Sequence, residues 1–179
     1  MHKKAKYIIL FLHYLCVSCG DSSTLRTMIM DFSKIEITIP NDMTMIQNGR
    51  IVPTNIKEDL PIFITYIDSL SCSSCQAAHL RDFVDLFRKA EENGKFQFLL
   101  IFSPAEYMMD EIQDILLSSR FEYPVFLDTY FSFAQVNKIP KHPFFKSFLI
   151  DMNRHPIFVG DPFDNDRLMS LFNKILLTL

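Results

Sequence analysis

The residue type with the most obvious chemistry in this chain is cysteine, and there are only four, in two close pairs: Cys16 with Cys19, and Cys72 with Cys75. The second pair stands in the run Ser71-Cys72-Ser73-Ser74-Cys75, behind an apolar strand-like stretch and ahead of a helix-like one. A thiol in the first turn of a helix sees the positive end of the macrodipole and unpaired backbone N–H groups, which favour thiolate over thiol. Cys72 is therefore expected to attack a disulfide, and Cys75, one turn on, to resolve the mixed disulfide that results. Ser73 and Ser74 bring neither charge nor proline, so the direction of electron flow stays open. The same pair could instead be a structural disulfide, although so short a loop constrains little of the unfolded chain.

The first pair reads differently. Residues 2–6 are basic, and residues 8–17 supply about ten mostly apolar positions, the length of a signal-peptide core and too short to span a bilayer. Leu15-Cys16-Val17-Ser18-Cys19 resembles a bacterial lipoprotein box, with Ser18 as the small residue at the cleavage site and Cys19 as the lipidated first mature residue. The box usually carries leucine three positions before the cysteine, where this chain has Cys16. The division expected is a signal peptide over residues 1–19, a polar tether over 20–33 and a folded domain over 34–179. Processing at Cys19 leaves Cys72 and Cys75 as the free thiols.

Metal chemistry finds little support. Zinc needs two further ligands, no second Cys-x-x-Cys follows residue 19, and His79, His142 and His155 show no regular ligand spacing. Neither a metal nor another cofactor is expected. The net charge of −3, with lysines and acids interspersed, provides no basic stripe, so no nucleic-acid partner is expected. Eighteen phenylalanines with no tryptophan and only four glycines suggest a dense core with few tight glycine turns. About 160 mature residues make one domain by size.

The elements that must position the thiols follow from periodicity. Residues 34–39 alternate polar and apolar and predict a half-buried strand stopped by Pro40-Asn41-Asp42, and Asn48-Gly49 predicts a tight turn. Residues 61–67 read as a strand buried on both faces. From Gln76, Leu80, Phe83, Val84 and Phe87 fall at helical spacing, with Gly94 as the stop. Strands over 96–102 and 124–127 alternate with helices over 106–117 and 131–136. Residues 147–151 and 156–159 are spaced for a hairpin, and Asp164 can N-cap a last helix carrying Leu168, Leu171, Phe172, Ile175 and Leu176.

In that order, strand, Cys-x-x-Cys, long helix, strand, helix, hairpin and terminal helix, the chain resembles the thioredoxin fold. Phe148-Leu149-Ile150-Asp151 followed by Pro156-Ile157-Phe158-Val159 is similar to the hairpin of exported thioredoxin-like proteins of the alkyl hydroperoxide reductase/thiol-specific antioxidant type. The resemblance covers residues 34–179 and implies an α/β, thioredoxin-like fold: a central mixed β-sheet flanked by helices, with a C-terminal β-hairpin plus helix. It further implies an envelope thiol-disulfide oxidoreductase, lipid-anchored and facing the periplasm or cell exterior. Its partners would be protein disulfides or a redox partner protein. The competing expectation is a non-catalytic interaction module holding a structural disulfide.

Several positions depart from the family. Leu70-Ser71 replaces the aromatic residue that commonly precedes the first cysteine. A cis-proline facing the dithiol is expected before the penultimate hairpin; Pro140 and Pro143 compete for it, Pro143 is preferred as the substrate-binding residue, and an ungapped alignment puts Phe145 there. The peroxiredoxin order Pro-x-x-x-Thr-x-x-Cys is absent before both Cys72 and Cys75. Asp68 is expected to cap the strand-to-helix turn in preference to tuning a cysteine.

Overall fold

The computed structural model describes residues 20–69, 71 and 73–179. The expected signal peptide over 1–19, with Cys16 and Cys19, lies outside these residues, as does Cys72. One seven-stranded mixed sheet runs through the domain in the order β2-β1-β5-β4-β3-β6-β7. Its strands are β1 (Thr44–Gln47), β2 (Arg50–Val52), β3 (Ile62–Ile67), β4 (Gln97–Phe102), β5 (Val125–Leu127), β6 (Ser147–Ile150) and β7 (Pro156–Val159). The three central strands β3, β4 and β5 are parallel, and the outer pairings are antiparallel.

Helices cover both faces, and the alternation within β3 shows why. Phe63 and Ile67 enter one core cluster, Ile62, Ile64 and Tyr66 enter the other, and Thr65 is buried against the Ser147 hydroxyl, so all six strand residues are buried. A strand with no solvent face reads as a continuous apolar run, as expected for residues 61–67. On the first face lie α2 (Ser73–Ala78), α3 (Val84–Asn93), α4 (Met109–Ser119) and α6 (Asp166–Thr178), represented in the core by Ala77, Phe87, Ile112 and Phe172. The second face carries α1 (Gly20–Phe32) and α5 (Ser132–Val136), through Phe32 and Phe133.

Residues 20–33 are therefore not a tether through their length. Leu25, Met28, Ile29 and Phe32 recur at helical spacing, and all four pack on the second cluster. Phe32 is 2% exposed and meets Phe145 and Phe148 edge to face at 5.2 and 5.1 Å.

The expected strand over 34–39 also differs. Lys34 and Ile35 belong to the turn that closes α1, and residues 36–39 pair with no strand although Ile37 is fully buried. Ile37 N–H donates to the Arg154 carbonyl, while the buried Asn137 side chain accepts from Thr38 N–H and donates to the Thr38 carbonyl. A side-chain amide thus supplies the partners that a neighbouring strand would have supplied. The first hairpin instead joins β1 to β2 through Asn48-Gly49, whose φ values of 53° and 70° are those of a type I′ turn.

Two helix boundaries moved. The helix after the cysteine pair breaks at His79, so α2 has six residues, a 3-10 turn (Leu80–Phe83) follows, and α3 begins at Val84. Gly94 ends α3 in the left-handed conformation, as expected. The N-cap of α6 is Asn165, not Asp164: Asn165 Oδ1 accepts from Arg167 and Leu168 N–H. Among the described residues, no helix is long and apolar enough to cross a membrane.

Candidate functional site

β3 delivers the chain to the carboxyl end of the parallel strands, where α/β sheets place their ligands. There the backbone turns sharply. Ser71 N–H donates to the Asp68 carbonyl at 3.0 Å, and Ser71 Oγ donates to Asp68 Oδ1 at 2.7 Å. Asp68 therefore holds the strand-to-helix turn, as its spacing predicted. Ser73 N–H then bonds the Ser71 carbonyl and α2 starts.

Cys75 lies in α2, is solvent-exposed and is disulfide-bonded. The other three cysteines, Cys16, Cys19 and Cys72, lie outside the described residues. Cys75 thus stands open to solvent on the helix surface. Ser73 is its opposite: 1% exposed, with an Oγ that has no hydrogen-bond partner. Ser74 faces α4, where its hydroxyl donates to Glu111 Oε1 at 3.2 Å.

Opposite this turn lies a 3-10 turn (Pro143–Lys146) that leads into β6. Among the described residues there is no cis peptide bond, so neither Pro143 nor Pro140 is the expected cis-proline. Pro143 instead opens the 3-10 turn, where its fixed φ is already suitable and its missing N–H costs nothing. His142 before it is extended, at φ −72° and ψ 135°, and its Nδ1 accepts from Phe144 N–H. Phe145, which the alignment put at the family's proline position, is fully buried in the second cluster. Gly160 makes room for this turn. A Cβ there would stand 2.8 Å from the Phe144 ring, and its φ of 109° suits glycine alone.

Between the two turns runs a groove of about 320 Å³. Ser71, Gln76, Pro143 and Lys146 line it, so residues flanking both cysteines of the second pair share it with the proline that sequence reasoning chose. Lys146 Nζ donates to Ser71 Oγ at 2.7 Å. Asp161, on the same groove, has its carboxyl pushed above the usual range by burial and by Asp164, against the lowering effect of the Phe163 N–H.

Sequence reasoning missed a second polar group, behind the site. Asp128 follows β5 and is fully buried; Oδ1 accepts from Ser132 Oγ, and Oδ2 accepts from Ser103 Oγ and Phe133 N–H. Tyr66, at the end of β3, has its phenol pushed up by burial, partly countered by a hydrogen bond with Ser103 and reinforced by the charges of Asp128 and Asp68. The signal was the acid that closes an apolar strand just before a short helix. Asp128→Ala strands the Ser103 hydroxyl and the Phe133 N–H, while Ser132 Oγ keeps Asp42 Oδ1 at 2.7 Å, and is expected to cost about 2 kcal/mol, measured by urea unfolding. Asp128→Asn retains an acceptor for the Oδ2 pair and should lose less than half as much.

The architecture is that of the thioredoxin-like fold, as the order of elements implied. Three solved structures share it at low sequence identity. A thiol:disulfide interchange protein assigned as DsbE from Chlorobium tepidum matches with TM-score 0.52 and 15% identity, over 79% of this chain and 95% of that one. The exposed lipoprotein thioredoxin Etrx1 of Streptococcus pneumoniae matches with TM-score 0.50 and 16% identity, over 76% and 98%. A cysteine-to-serine mutant of Xylella fastidiosa PrxQ matches with TM-score 0.50 and 12% identity, over 79% and 97%. No protein-family model matches the sequence, and no curated protein matches it significantly.

Proposed function

We propose that this protein is a thiol-disulfide oxidoreductase of the cell envelope that exchanges disulfides with protein partners through Cys72 and Cys75. The observation that carries the reading is the exposed, disulfide-bonded Cys75 on α2, at the carboxyl end of β3 in a thioredoxin-like fold, beside a groove. Its two-residue spacing makes Cys72 the natural partner in that disulfide. In the reducing direction the Cys72 thiolate attacks a partner disulfide, forming a mixed disulfide and expelling one partner thiolate. Cys75 then attacks the Cys72 sulfur and expels the second. Two electrons pass to the partner, and the protons lost by the two cysteines end on its thiols. The oxidising direction is the reverse.

Cys19 is the lipid attachment point in this reading, so the domain faces the periplasm or cell exterior on a membrane anchor. Pro143, trans and exposed on the groove wall, contacts the incoming polypeptide. The competing reading is a non-catalytic module with a structural disulfide. The two separate on the reduction potential of the full-length chain carrying Cys16→Ser and Cys19→Ser, equilibrated in glutathione or dithiothreitol buffers. A value between about −270 and −120 mV is expected for the oxidoreductase, whereas one below about −300 mV would identify a structural bond.

A further inference from the structure

We infer that Lys146 is a positioning residue that sets the redox poise of the dithiol, acting through Ser71; this rests on the oxidoreductase reading above. The residue before Cys72 is the hub of a short polar chain. Lys146 Nζ donates to Ser71 Oγ at 2.7 Å, and Ser71 Oγ in turn donates to Asp68 Oδ1 at 2.7 Å. A hydroxyl has one proton, so this direction of donation is the one that satisfies all three groups. The three residues are part-buried and span two elements that the sequence separates by 75 positions, the turn after β3 and the 3-10 turn before β6.

The arrangement fixes an ammonium ion against the residue covalently joined to Cys72, on a groove that Gln76, the neighbour of Cys75, also lines. A cation held there stabilises a thiolate more than a thiol, and Asp68 does the opposite. Other charged groups lie near α2 and Lys146. Glu111 reaches α2 through Ser74, Asp161 and Asp164 line the same groove, and Lys141 and His142 line a second cleft against Lys146. Among the described residues, Lys146 and Asp68 are charged groups hydrogen-bonded to Ser71, the residue that precedes Cys72. The short α2 makes this contribution matter, because a six-residue helix supplies little of the macrodipole that the sequence suggested.

Stabilising the thiolate stabilises the reduced form and makes the pair more oxidising. Lys146→Met should therefore lower the reduction potential, changing the exchange constant with glutathione about tenfold, which is about 30 mV for two electrons. The pH midpoint of thiol alkylation should rise by about one unit. Lys146→Arg should restore both. Asp68→Asn should move both in the opposite direction, a reversal that a purely structural role does not produce. All variants are made in the full-length chain with Cys16→Ser and Cys19→Ser.

Equal potentials and equal alkylation midpoints for Lys146→Met and the parent overturn the inference, even if Lys146→Met melts earlier. Shifts of the same sign for Lys146→Met and Asp68→Asn overturn it too. The alkylation midpoint is read on chemically reduced protein and remains measurable whatever the potential. A parent protein that exchanges with no disulfide would therefore remove the oxidoreductase reading without obscuring the lysine effect.

Discussion

Cys75→Ser is expected to leave a protein that captures its partner and cannot let go. With Cys72 as the attacking sulfur, the mixed disulfide forms normally, but a hydroxyl cannot displace it, and turnover falls by at least about 10³-fold. The adduct should survive on a non-reducing gel and vanish with dithiothreitol. Cys72→Ser should lose turnover equally and capture nothing. The experiment also decides the order of attack. Cys75 is exposed, a position suited to an attacking sulfur, so capture by Cys72→Ser alone would exchange the two roles. Capture by neither, with both variants folded, would leave the structural-disulfide module as the surviving reading.

The second large effect is expected far from the thiols. Phe32→Ala should lower unfolding stability by about 4 kcal/mol, in the range for truncating a buried aromatic. Phe32 is the last residue of α1, and its ring is wedged between Phe145 and Phe148. Removing it deletes both edge-to-face contacts and leaves a cavity that the rigid sheet cannot close. Phe145 belongs to the turn that carries Pro143 and Lys146, so the loss should also widen the groove. Denaturant unfolding measures the first effect. A loss below about 1 kcal/mol would mean that α1 adds little to the core and that the original expectation of a tether was the better description.

The parts of the fold that were legible were those in which one strong signal dominated. β3, with both faces buried, could hardly be anything but a central strand. Gly94, Asn48-Gly49 and the four-residue spacing of the last hairpin each named their own turn. What the sequence hid were substitutions of one hydrogen-bond partner for another. Residues 34–39 have strand periodicity, yet Asn137, 99 positions from Thr38, takes the place of the neighbouring strand. The stripe of Leu25, Met28, Ile29 and Phe32 was readable in principle, but the polar residues just after Cys19 masked it.

The site divided in the same way. The cysteine spacing and the capping role of Asp68 were local facts and could be read as such. Lys146 was invisible because a lysine ahead of a strand is ordinary until the fold brings it to Ser71. The preference for Pro143 rested on a cis bond that the described residues do not contain. The proline lines the groove, but it serves as the first residue of a 3-10 turn with a trans bond.

Because α1 is docked through Leu25, Met28, Ile29 and Phe32, the helix is fixed to the domain as a lever is fixed to its pivot. Thirteen residues at 1.5 Å per residue make that lever about 20 Å long. It belongs to the sheet face opposite the one on which Ala77 and Leu80 seat the cysteine-bearing helix. A pull applied at Gly20 would reach the sheet through its second face, and the disulfide-bonded Cys75 would ride on the other.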